Sequence, residues 1–238
     1  CIPLLFNVSK CYHIQITQKH KPLKTSYCMN GELISIVKDS KYLGVTISND
    51  LRRSKQCCNK MAAKARSTLG IVRQSLHSAN KDIKAKVFQT LVRPQLEYAA
   101  EAWNPYTDKD TKTIQRVQNS AARFTLSDYN GSSSVTAMQD QLGWDSLVVR
   151  RLQSQICTFY KIHKRLVNIS FPSYIQTVAR PSSRASHHFQ YLRVSASKDS
   201  FFYSYPRMIP VWNSLPQMVV AATSFDSFRS LSSPVVKE

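Results

Sequence analysis

Met61, Ala65, Leu69, Val72 and Leu76 recur at steps of four and three residues. That spacing paints one apolar stripe along a helix, and a stripe of this kind must be covered by another surface. A second helical run starts behind Asn80, a good N-cap residue, and its core face reads as Ile83, Val87 and Leu91 with Phe88 beside it. Pro94 has no backbone N–H, so this run must kink or break near Val92–Arg93. Thr107-Asp108-Lys109-Asp110 then has capping-box form, with Asp in place of Glu, ahead of Ile114, Val117, Ala121 and Phe124. A helical bundle with a break at Pro94 is the expected centre of the fold.

Before this centre the periodicity is that of strands. Tyr12 to Thr17 alternates apolar and polar side chains, and Asn30-Gly31 between Thr25–Met29 and Glu32–Val37 signals a two-residue hairpin. Tyr42 to Ile47 is a further β-rich run. After the centre, Ser132–Ser134 marks a loop and a short helix ends near Gly143-Trp144. Asp145 is a candidate cap for a long helix with Val148, Leu152, Ile156, Phe159 and Leu166 on one face. Six of the 10 prolines fall from Pro172 onward among serine clusters, which predicts an extended tail ending in a helix around Ser224–Leu231. The fold class read from these patterns is mainly α with a small N-terminal antiparallel β region, an α+β chain. Its regions are 1–50, a helical bundle at 51–128, and 129–238, a helical part with an extended Pro/Ser-rich tail.

Lys and Arg number 33 against 14 Asp and Glu, a formal charge of +19. Self-repulsion of this size points to a polyanionic partner. The first hundred residues hold 17 of the basic residues and only 5 of the acidic ones. Lys60, Lys64, Arg66 and Arg73 lie largely off the Met61–Leu76 stripe and form a candidate phosphate-contacting face. With 5 Gly in all, the chain has no glycine-rich nucleotide cradle. Its six cysteines, at 1, 11, 28, 57, 58 and 157, form no C-x-x-C pair, and the histidines at 13, 20, 77, 163, 187 and 188 have no metal-ligand spacing. Free thiols and the lack of an apolar run of about 20 residues suit an intracellular protein, nuclear or cytoplasmic, with no membrane span. Arg93, Glu97, Tyr98, Trp103 and Asn104 read as packing around the Pro94 break rather than as a nucleic-acid contact, Trp144 and Trp212 as core, and His187-His188 beside Arg184 as a basic loop.

Four strings carry a family likeness. The first is Asn7-Val8-Ser9-Lys10-Cys11; the second is Tyr42-Leu43-Gly44-Val45-Thr46-Ile47. The third is Leu91 to Pro105, LVRPQLEYAAEAWNP, with the basic helix Lys112 to Phe124. The fourth is Leu142-Gly143-Trp144-Asp145-Ser146-Leu147 with Arg150-Arg151 and Tyr160 to His163, continued by Pro206-Arg207 and Val211 to Pro216. In this order they resemble the end of the palm, the thumb and the post-thumb region of reverse transcriptases from LINE-class, non-LTR retrotransposons. The departures are Arg53 where such proteins often carry Trp, Gln115 where Glu is usual, and Tyr205 where Phe often precedes Pro-Arg.

The resemblance implies an RNA-directed DNA polymerase as parent, with Mg²⁺ held by a paired Asp on a hairpin that lies before Cys1. The chain itself is then expected to be a C-terminal fragment without catalytic carboxylates or bound metal. Its partners would be an RNA–DNA hybrid or another duplex, and the N-terminal polymerase part. By the same likeness Lys10 matches a leaving-group lysine, here vestigial, and Tyr42, Leu43 and Gly44 match the primer grip. A standalone basic nucleic-acid-binding module and an inert translated remnant are the alternatives.

Overall fold

The computed structural model describes residues 7–17, 21, 23, 25–50, 53–105, 107–180, 185–195 and 205–237. Cys1 and Arg184 lie outside them. The chain is mainly helical with a small β region, an α+β fold. Among the described residues six short strands form three two-stranded ladders: β1 (Tyr12–His13), β2 (Cys28–Met29), β3 (Glu32–Leu33), β4 (Ser35–Ile36), β5 (Asp39–Tyr42) and β6 (Val45–Ser48). Ladders β2–β3 and β5–β6 are antiparallel, whereas β1 and β4 pair in parallel, Tyr12 opposite Ser35. The first hairpin turns at Asn30-Gly31 with φ of +53° and +82°, the left-handed pair that a two-residue turn requires.

The helices among the described residues are α1 (Arg53–Ser75), α2 (Lys81–Val87), α3 (Arg93–Glu97), α4 (Ala100–Trp103), α5 (Asp108–Leu126), α6 (Val135–Gln141), α7 (Leu147–His163), α8 (Tyr205–Ser214), α9 (Gln217–Val220) and α10 (Phe225–Lys237). Asn80 and Thr107 cap α2 and α5 with their side chains. Between α2 and α3 the turn widens to a π-helix over Phe88–Val92, which lets the chain pass Pro94 with its other backbone bonds intact.

Two cores divide the helices. The first collects Ala62, Ala65, Leu69 and Val72 of α1, Phe88, Val92 and Leu96, Trp103, and Ile114 to Phe124 of α5, closing on Trp144 and Leu147. Here the expected face of the second helical run is corrected. Ile83 and Leu91 are 48% and 54% exposed, and the buried positions are Lys84, Phe88, Val92 and Leu96. The Phe88 ring stacks on Trp144 at 4.5 Å, and that long-range contact sets the rotation of the helix. Lys84 follows inward; its ammonium sits 4.8 Å above the Phe124 ring and donates to Ser127 Oγ at 3.2 Å.

The second core joins the C-terminal half of α7 (Ile156, Phe159, Tyr160) to Ile175, Tyr191, Met208, Ile209, Trp212, Val220 and Phe228. The cap of α7 is Ser146, one residue after the expected Asp145, and Leu166 lies exposed beyond the end of the helix. The tail is also less extended than its prolines suggest. Residues 205–214 are helical with Pro210 inside, because Met208, Ile209 and Trp212 are buried and their burial outweighs one lost backbone bond.

Candidate nucleic-acid interface

Tyr42, Leu43 and Gly44 do not form a half-buried strand. Leu43 (φ +45°) and Gly44 (φ +84°) are the two turn residues of the β5–β6 hairpin, with the same geometry as Asn30-Gly31. Tyr42 and Leu43 are 66% and 74% exposed. The turn is held from below by Tyr98, at the C-terminal end of α3, whose hydroxyl donates to the Leu43 carbonyl at 2.9 Å. A Cβ at residue 44 would meet Tyr98 Cε1 at 3.2 Å, so glycine there serves both the positive φ and the close approach of the ring. On the other side Val45 packs against the first core, and β6 lies on α1.

Between this hairpin, α1 and α3 opens a cleft of about 660 Å³. Lys41, Gly44, Lys60, Lys64, Gln95 and Tyr98 line it, with Asp39 and Thr46 adding polar groups. Gln95 spans its floor: its amide donates to Thr68 Oγ1 of α1 at 3.0 Å and to the Leu91 carbonyl at 2.8 Å. The structure thus brings Gly44 of the turn next to two of the four candidate cations. Lys60 and Lys64 are exposed.

Arg66 and Arg73 do not belong to this face. At 100° per residue, positions 64 and 66 point about 160° apart on a helix. Arg66 Nη2 reaches the Thr113 carbonyl of α5 at 3.3 Å. Arg73 Nη2 donates to Ser120 O at 2.6 Å and to Ser120 Oγ at 2.7 Å, and its guanidinium lies 5.8 Å above the Phe124 ring. Arg73 therefore ties α1 to α5. Lys10 closes a 3-10 turn capped by Asn7 and is exposed.

The aromatic cluster near Pro94 divides between roles. Trp103 is fully buried and donates from Nε1 to the Tyr98 carbonyl at 2.7 Å, while Tyr98 itself faces the cleft. Glu97 pairs with Arg150 of α7 through both carboxylate oxygens, and that bond raises the Arg150 pKa. Asn104 accepts from Arg151 Nε at 3.0 Å and donates to Gln155 at 2.9 Å. Burial holds the Arg151 pKa down at about 10. Sequence reasoning missed Lys41, Gln95 and Tyr98 as cleft residues; only the pairing of the hairpin against α1 and α3 brings them together.

His187 is not part of a basic loop. It is buried, with Nε2 on the Trp212 carbonyl at 2.8 Å and Nδ1 accepting from Phe189 N at 3.0 Å, which fixes the neutral tautomer. Burial lowers its pKa, and burial brings that of His163, bonded to Tyr191, down to about 4. Among the described residues no cluster of three or more His, Cys, Asp and Glu could hold a metal ion. Among the same residues no helix is long and apolar enough to cross a membrane. No family model, curated protein or solved structure matches the chain.

Proposed function

We propose that this chain is the duplex-gripping, C-terminal part of a reverse transcriptase of the LINE-class, non-LTR type, and that the cleft beside the Leu43-Gly44 turn holds the template–primer backbone. One observation carries the reading. Tyr42 to Gly44, which match the primer grip by sequence, are the end of β5 and the exposed turn after it, at the rim of a cleft lined by Lys41, Lys60 and Lys64. Three cations against Asp39 leave the cleft positive. Lysine ammoniums on flexible stems follow a phosphate backbone without reading bases, as copying any template demands. The exposed Tyr42 ring and Leu43 side chain give the terminal sugar an apolar surface to rest on. In this reading the Mg²⁺ chemistry belongs to paired carboxylates elsewhere in the enzyme, and the residues of this chain hold and position the duplex.

Titration of an RNA–DNA hybrid with residues 1–238 at several salt concentrations tests it. Neutralising roughly four to six phosphates gives a log–log salt slope on the order of −3 to −5. Lys60→Gln with Lys64→Gln removes two cleft contacts, so the slope should become shallower by about 2. Arg73→Gln should leave it unchanged. A flat salt dependence, or an unaltered slope in the double variant with a native melt, overturns the assignment.

A further inference from the structure

A second set of cations lies on the far flank of α1. Lys109, Lys112 and Arg116 are exposed on α5, and Arg66 joins them across the seam through the Thr113 carbonyl. At 100° per residue, positions 109, 112, 113, 116, 120 and 123 fall within an arc of about 100°. The buried Ile114, Val117, Ala121 and Phe124 occupy a separate arc centred about 110° away. Among the described residues none of Arg66, Lys109, Lys112 and Arg116 is paired with a carboxylate. The acids nearest in sequence are Asp108, in the first turn of α5, and Asp110, which is turned inward and accepts from Thr107 Oγ1 at 2.8 Å. Arg73 and Arg123 border the same seam but are committed to carbonyls, Arg73 to Ser120 O at 2.6 Å and Arg123 to Asn130 O at 2.7 Å, so neither is counted among the phosphate-contacting cations.

We propose that the α1–α5 seam is a second phosphate-backbone surface, so that one molecule engages two nucleic-acid segments at once, one in the cleft and one on the seam. The cleft half rests on the reading above; the seam half stands on its own charges. Lys109 to Arg116 spans about 10 Å along the axis, or about three steps of one strand at 3.4 Å each. Cations spaced this way, with Thr113 between them, suit a run of phosphates. A membrane surface is a poor match: helices that lie on lipid insert an apolar face, and the apolar face of α5 is already buried in the core.

The test mixes two RNA–DNA hybrids, one carrying a donor dye and one an acceptor, with residues 1–238 at low salt. Complex mass gives the number of hybrids per molecule, and energy transfer reports bridging. The wild-type chain should bind two hybrids and bring the dyes together. A variant with Lys109→Gln, Lys112→Gln and Arg116→Gln should still bind one hybrid, with energy transfer lost and second-hybrid affinity lowered about tenfold or more. All three residues are exposed, so its melt should match wild type; if it does not, Lys112→Glu alone should weaken the second hybrid. One hybrid per molecule without energy transfer overturns the seam and leaves the cleft standing. Energy transfer that survives in a folded triple variant also overturns the seam. Loss of all binding in the triple variant overturns both the two-surface proposal and the cleft. Polyglutamate that displaces the second hybrid as well as an equally charged duplex does would make the seam a protein-docking surface and refute its assignment to nucleic acid.

Discussion

Leu43 sits in the left-handed region at φ +45°, in the position that Asn30 fills in the β2–β3 turn. The left-handed conformation costs an ordinary L-residue about 1–2 kcal/mol, and asparagine adopts it far more readily. Leu43 is 74% exposed, so replacing it removes little buried surface. The bond from Tyr98 goes to the backbone carbonyl of residue 43 and survives a side-chain change. Leu43→Asn should therefore stabilise the chain by about 1 kcal/mol, or about 2–4 °C in Tm for a chain of this size. Urea unfolding with an unchanged m-value measures it. A backbone strain kept at an exposed turn is explained if the leucine side chain has a task, here contact with the primer end. The same variant should then bind the hybrid more weakly while being more stable. A lower urea midpoint would mean that Leu43 packs against something that stabilises the fold. Unchanged hybrid affinity would refute the functional account of the strain.

Trp103→Ala should lower stability by about 3–5 kcal/mol, since a fully buried ring and its bond to the Tyr98 carbonyl are lost together; guanidinium unfolding reads this out, and the salt slope of the folded fraction should not move. His163 is held at about 4, below its ordinary 6.5, so the unfolded chain takes up the proton first. The stability this gives is whole above pH 6.5 and is lost as pH falls toward 4; melts across that window should show a smaller loss in His163→Gln than in wild type. Residues 1–238 should extend no primer with Mg²⁺ or Mn²⁺. Asp39 begins β5, Asp50 follows β6 and Asp82 lies on α2, and template-directed extension in a gel assay would refute the proposal that the metal-binding carboxylates lie outside these residues.

Features of the fold that depend on neighbours in sequence were legible before the structure. Asn30-Gly31, the caps at Asn80 and Thr107, and the stripe on α1 each follow from a few adjacent residues, and each is where it was expected. The segment after Asn80 was not legible, because it offers two stripes. Ile83, Val87 and Leu91 compete with Phe88 and Val92, and the decision rests on Trp144, 56 residues away from Phe88. The helix at residues 205–214 was hidden by Pro206 and Pro210, which read as breakers. Pro206 sits in the first turn, where its missing donor is harmless, and Pro210 is exposed while Met208, Ile209 and Trp212 around it are buried. His187 looked like part of a basic loop because the carbonyl that accepts its Nε2 hydrogen bond belongs to Trp212, far along the chain.

The candidate site was legible in part, and the error there was of angle rather than of residue type. Lys60, Lys64, Arg66 and Arg73 were grouped because all four avoid the apolar stripe. A stripe covers only one side of a helix, and the remaining surface is wide enough for two unrelated faces. Positions 60 and 64 lie about 40° apart, and 66 and 73 about 20°, while the two pairs are separated by more than 100°. Helix geometry alone thus divides the four cations, before any neighbour is known. What it cannot supply is the identity of each neighbour. The structure puts the Leu43-Gly44 hairpin and Tyr98 beside the first pair, and α5 beside the second. One flank becomes a cleft with an exposed turn at its rim. The other becomes a seam in which one arginine is committed to Ser120 and the free cations belong mostly to α5. The consequence is asymmetric: replacing Lys60 or Lys64 should act on binding, replacing Arg73 on stability, and a variant set that treats all four as one face would mix the two effects.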